Sequence, residues 1–162
     1  MKTIYILRHA KSSWDNPNLA DFERPLNKRG LAAAPFIGEI IYKNKFQPDS
    51  MLSSPAKRAK QTAVLVRAAG KIEAEIRFDE RIYEASPQQL LQVISELETV
   101  SESAMLIGHN PGLEGLIKFL TGENRAMPTA TLAVIDLEVQ NWQETIAECG
   151  NLRALIRPNE EK

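Results

Sequence analysis

Short apolar runs alternate along this chain with longer stretches of helical period. Thr3–Leu7 (TIYIL) is a β-rich run and predicts a buried strand. Met51-Leu52 ends a second strand, Ile76–Phe78 is a candidate third, and Ala104–Ile107 (AMLI) reads as a further buried one. Thr131–Leu137 and Leu152–Ile156 alternate well enough to predict two last strands. After Asn27, a suitable N-cap, a helical pattern runs towards Tyr42. Pro35 lies inside it, so that helix begins near residue 33 or kinks there. Ser54-Pro55 supplies a capping serine and a first-position proline for a helix with Ala59, Ala63, Leu65 and Val66 on its apolar face. It is expected to end at Gly70. Ser86-Pro87 repeats the device for a helix through about Glu98, and a fourth helix follows Pro111 to about Leu120. His9 to Arg24 is polar and turn-rich, and predicts a long loop. Loops of that length in compact domains are functional or disordered.

This order predicts an α/β three-layer sandwich, with a mostly parallel central sheet and helices on both faces. Ligands of open α/β sheets sit beyond the carboxyl ends of the strands. Arg8-His9 follows the first strand, Ser53-Ser54 and then Arg58 the second, and Gly108-His109 the fourth. The helices after the second and fourth strands turn their free amides towards the same edge, which favours an anion.

Composition narrows the picture. A chain of 162 residues fits one domain, 1–162, able to bury a core without disulfides. The net charge of -1, from 20 basic and 21 acidic residues, suggests no nucleic acid or anionic membrane as partner. The single Cys149 cannot form an internal bridge, and the apolar run near the start is too short for a leader or a membrane span. The expected address is the cytoplasm. There are only two histidines, His9 and His109, and each follows an apolar run that reads as a strand.

Two arginines offer planar forks that match phosphate oxygens. A neutral imidazole at His9 can attack phosphorus, and His109, protonated beside a dianion, adds donors. Such a set neutralises a phosphoryl group without a metal, and no cofactor is expected. Taken singly, each residue has a plainer reading. Lys57 and Lys60 flank Arg58, so it fits equally a solvated basic helical face. Two histidines without paired cysteines or spaced carboxylates make a poor metal ligand set.

The segments LRHAKSSW, DFERPLNKRG, LSSPAKRAKQTA and IGHNPGLE resemble the histidine phosphatase (phosphoglycerate mutase-like) superfamily, and within it the SixA-type phosphohistidine phosphatases. They occur in order, from residue 4 to about 120. The resemblance implies that His9 is the phospho-accepting nucleophile, with Arg8, Arg58 and His109 binding the phosphoryl group. Asp21, Arg24 and Pro25 match a segment that orders the long loop. Arg8-His9-Ala10-Lys11 departs from the mutase-like pattern, in which glycine and then Glu or Gln follow the histidine. The chain also leaves no evident room for the helical insertion that covers the pocket in mutases.

Glu84 is the best-placed general acid for an ester substrate, with Asp79 and Glu80 behind it; the other reading is that it ends a turn before Ser86-Pro87. Trp14 fits either a surface for a partner or simple packing. The expected function is metal-independent dephosphorylation through a phosphohistidine intermediate on His9. The preferred substrate is phosphohistidine on a signalling or phosphotransfer protein. The rivals are a phosphomonoesterase for a small phosphate ester and a phosphate-binding module without turnover.

Overall fold

Ile4 and Ile6 face one side of β1 (Lys2–Arg8), Tyr5 and Leu7 the other, and all four are buried. A strand apolar on both faces belongs at the centre of a sheet covered on both sides. β1 occupies that place in the computed structural model, which describes residues 1–158. The other strands are β2 (Ser50–Ser53), β3 (Ile76–Phe78), β4 (Ser103–Gly108), β5 (Leu132–Leu137) and β6 (Gly150–Ile156). Their order is β3-β2-β4-β1-β5-β6. The first four pair in parallel, while β5 and β6 run antiparallel. The result is the expected α/β sandwich with a mixed, mostly parallel sheet.

The helices are α1 (Lys28–Lys43), α2 (Lys57–Gly70), α3 (Pro87–Ser95) and α4 (Gly112–Thr121). Ile37, Ile41, Ala59, Ala63 and Val66 of α1 and α2 pack on the Tyr5/Leu7 face. Leu90, Ile94, Leu116 and Leu120 of α3 and α4 pack on the Ile4/Ile6 face. α1 and α2 approach closely because a Cβ at Gly38 would stand 2.6 Å from that of Ala69. Gly70 is therefore a contact glycine in the last turn of α2, and the left-handed cap is Lys71, at φ 50°. The helix ends at Gly70 as expected, and the left-handed conformation falls on the residue after it.

Other boundaries differ for local reasons. Asn27 caps α1 by accepting from the amide of Gly30 at 2.9 Å, and the helix starts there and continues through Pro35. Ser86 forms a full capping box with Gln89, but α3 stops at Ser95 instead of near Glu98. Ser54-Pro55 does not open α2, which begins at Lys57 after Ala56. Ser54 is fully buried and employed elsewhere. Among the described residues, no helix is long and apolar enough to cross a membrane.

Candidate active site

Parallel register brings three strand ends to one edge. Arg8 is level with Gly108, and Ser53 with Ile107. The backbone then holds His9 in place: its amide donates to Gly108 O at 3.1 Å, and its carbonyl shares the Ala130 amide with that of Arg8. The Ala10 amide donates to Thr62 Oγ1 at 3.0 Å, and Thr62 Oγ1 donates to Arg58 O at 2.7 Å. The chain leaving β1 is thereby tied to α2 within a turn of Arg58. A cavity of about 260 Å³ opens here, and Arg8, His9, Arg58 and His109 all line it.

His9 is 6% exposed, and its Nδ1 lies 2.7 Å from Ala10 O. A carbonyl oxygen only accepts, so Nδ1 carries the proton and Nε2 keeps its lone pair. Burial, opposed by that hydrogen bond, and then the positive charges nearby push the His9 pKa down to about 3. The ring is neutral at physiological pH. The ring of His109 lies 5.0 Å from that of His9, centre to centre. Burial and then Arg58 lower its pKa to about 4, so it too is neutral until a dianion beside it favours the proton. His109 Nε2 lies 2.7 Å from Ser54 Oγ, which also accepts the Ala56 amide at 3.2 Å.

Arg58 is buried whereas Lys57 and Lys60 are exposed, so it does not belong to their solvated face. Its Nη1 donates to Asp21 O at 2.7 Å and its Nη2 to Asp21 Oδ2 at 3.0 Å. Tyr83 Oη also donates to Asp21 Oδ2, at 2.6 Å, and Arg24 Nη1 to Oδ1 at 3.1 Å. The Tyr83 hydroxyl and then Arg58 and Arg24, against desolvation, hold the Asp21 carboxyl down at about 2. The ring of Tyr83 meets His109 edge-on at 5.5 Å. One carboxylate thus aligns the guanidinium of α2 and the tyrosine against the second histidine.

Arg8 is anchored from the other side. Its Nη1 donates to Met127 O at 3.0 Å, and Asn110 Nδ2 donates to the same oxygen at 2.9 Å. Glu114 Oε2 accepts from Asn110 Nδ2 at 2.7 Å and from the Met127 amide at 2.9 Å. Arg8 Nε and His109 Nδ1 are buried, with no hydrogen-bond partner among the described residues.

The four residues that sequence reasoning gathered, Arg8, His9, Arg58 and His109, therefore meet. Glu84 does not join them: it is exposed, at φ 54°, and does not line the cavity. Asp21 and Arg24, expected only to order the loop, do so through Arg58 and through Ser12 and Ser13. Thr62, Tyr83 and Glu114 join the site without a signal in the sequence, whereas Ser54 belongs to the Ser53-Ser54 pair expected at this edge. The Ser54-Pro55 pair also predicts a helix cap, a role that Ser54 gives up for its contact with His109. Among the described residues, no three His, Cys, Asp or Glu side chains gather as a metal site.

Residues 4–106 match the family model of the histidine phosphatase superfamily (branch 1). The chain belongs to that superfamily. Within it the chain is of the SixA type. A crystal structure of an Agrobacterium tumefaciens protein, assigned as the phosphohistidine phosphatase SixA, superposes with a TM-score of 0.84 at 31% identity. The match covers 97% of this chain and 98% of that one. An uncharacterised chloroplastic protein of Arabidopsis thaliana is 31% identical over 98% of this chain and 78% of its own length. A mycobacterial glucosyl-3-phosphoglycerate phosphatase shares the fold, with a TM-score of 0.73, at 15% identity over 95% of this chain and 98% of that one. Superfamily membership and the SixA-type likeness support a phosphatase.

Proposed function

We propose that the protein is a metal-independent phosphatase that works through a phospho-His9 intermediate and acts on phosphohistidine carried by another protein. The observation that carries this reading is the bond from His9 Nδ1–H to Ala10 O. It leaves Nε2 as a neutral, unprotonated nucleophile in a cavity bordered by Arg8, Arg58 and His109. The Nε2 lone pair forms a bond to phosphorus while the bond from phosphorus to the leaving nitrogen breaks. That nitrogen takes the electron pair and, with a proton already on its other ring nitrogen, departs as neutral imidazole. Arg8, Arg58 and His109 stabilise the equatorial oxygens. Water then attacks phosphorus, its proton passes to solvent, and the pair of the broken bond returns to Nε2. Because Nδ1 keeps its proton throughout, phospho-His9 is itself primed to leave.

Substrate class follows from the leaving group. Among the described residues, no carboxylate lines the cavity. An alkoxide needs a proton donor, whereas imidazole does not. The same residue set supports turnover over passive phosphate binding, since binding alone asks for no oriented Nε2 nucleophile. The test is turnover on histidine-phosphorylated proteins against a panel of small alkyl phosphates. The expected result is a kcat/KM higher by a factor of at least ten on the proteins. A preference for one alkyl ester overturns the substrate assignment.

A further inference from the structure

Trp14 is 75% exposed, yet it is not a loose surface side chain. The guanidinium carbon of Arg24 lies 3.1 Å from the centre of its ring. Arg24 is buried and fixed: Nε donates to Ser13 O at 3.0 Å, Nη2 to Ser12 Oγ at 2.7 Å, and Nη1 to Asp21 Oδ1 at 3.1 Å. The backbone is pinned on both sides, by Ser13 N to Pro25 O at 2.8 Å and Asn27 N to Lys11 O at 3.0 Å. The indole therefore has a rigid backing on one face and solvent on the rest. A large apolar ring held open in this way is a candidate contact surface.

Its position says what it contacts. Trp14 and Arg24 border the same cavity as His9. His9 is 6% exposed and Trp14 75%, so the nucleophile lies at the floor and the indole at the rim. In an in-line displacement the leaving atom stands across phosphorus from the attacking Nε2. With phosphorus above His9, that atom points out of the cavity, towards the rim.

We propose that Trp14, backed by Arg24, is a specificity-determining platform that receives the flat ring of the leaving group. The site then favours phosphoryl groups bonded to aromatic rings over those on ammonia or alkyl oxygen. This rests on the phosphohistidine reading for its natural substrate, but not for its test.

Phosphoramidate has the same P–N bond without a ring, and glycerol phosphate and p-nitrophenyl phosphate make the corresponding ester pair. Trp14→Ala is expected to raise KM about tenfold more for free phosphohistidine than for phosphoramidate. It should do the same for p-nitrophenyl phosphate relative to glycerol phosphate. Trp14→Phe should recover most of the difference, and thermal unfolding should confirm that each variant is folded. Equal losses on ringed and ringless substrates, or no loss on any, overturn the platform. If wild-type protein turns over p-nitrophenyl phosphate but not phosphohistidine, the proposed natural substrate falls, and the ester pair still decides the role of Trp14.

Discussion

Arg58 grips Asp21 twice, through Nη1 to the backbone oxygen at 2.7 Å and through Nη2 to the carboxylate at 3.0 Å. A residue from the long loop thereby sets the direction of an arginine on α2. Arg58→Ala is expected to lower kcat by about two to three powers of ten, the usual loss of one preorganised charge-stabilising donor. Asp21→Ala leaves the guanidinium present but unaligned, and should cost about ten- to a hundredfold. Steady-state kinetics on both variants checks the order. A Asp21→Ala loss as large as that of Arg58→Ala contradicts a purely positioning role.

The two histidines give a pH signature. Both pKa values fall from the ordinary 6.5, to about 3 for His9 and about 4 for His109, with burial the leading cause. The unfolded chain therefore takes up protons first as pH drops. Stability from the neutral rings is complete above about 6.5 and is lost progressively as pH falls towards their folded values. With only two histidines in the chain, NMR titration of the imidazoles is simple to read. Neither should titrate near 6.5, and the urea midpoint should fall between pH 6.5 and 4. A midpoint near 6.5 for either ring contradicts the neutral resting site.

Much of this site was legible in the sequence because strand ends in a parallel sheet are a short list. Arg8-His9 and Gly108-His109 end β1 and β4, and parallel register alone makes them neighbours. The partners were hidden by chemistry that looks the same in two roles. Ser54 reads as a helix cap, yet it is buried against His109 Nε2. Tyr83 reaches Asp21 across 62 positions of sequence, which no local pattern encodes. Pro35 argued for a break in α1, but the helix is anchored upstream by Asn27 and packed downstream through Ile37 and Ile41. Tertiary packing outweighs the one lost hydrogen bond there.

Chelation provides a further check. Arg8, Arg58 and His109 supply the charge and donors around the cavity, so excess chelator should leave the rate unchanged. Vanadate should inhibit by adopting the in-line geometry. Activity lost on chelation and restored by a divalent ion contradicts metal independence.

Glu84 separates the ester and phosphohistidine readings. It is exposed and off the cavity wall, so Glu84→Gln should cost little on phosphohistidine or p-nitrophenyl phosphate. On alkyl phosphates, whose alkoxide must be protonated, a positioned acid contributes about two to four powers of ten. If Glu84 swings in as that acid, the loss appears on alkyl esters alone. No loss on any substrate removes Glu84 from the chemistry and leaves Asp79 and Glu80 to be tested. An equal, large loss on all of them makes it structural or a phosphate contact.

The proposed covalent intermediate on His9 can be trapped directly. Protein mixed with 32P-labelled substrate and quenched rapidly in denaturant should carry label that is lost in acid and kept in base. Mass spectrometry under alkaline conditions should place the phosphoryl group on His9, and His9→Ala should carry none. Label on a serine or an aspartate, or undiminished labelling in His9→Ala, would contradict the mechanism.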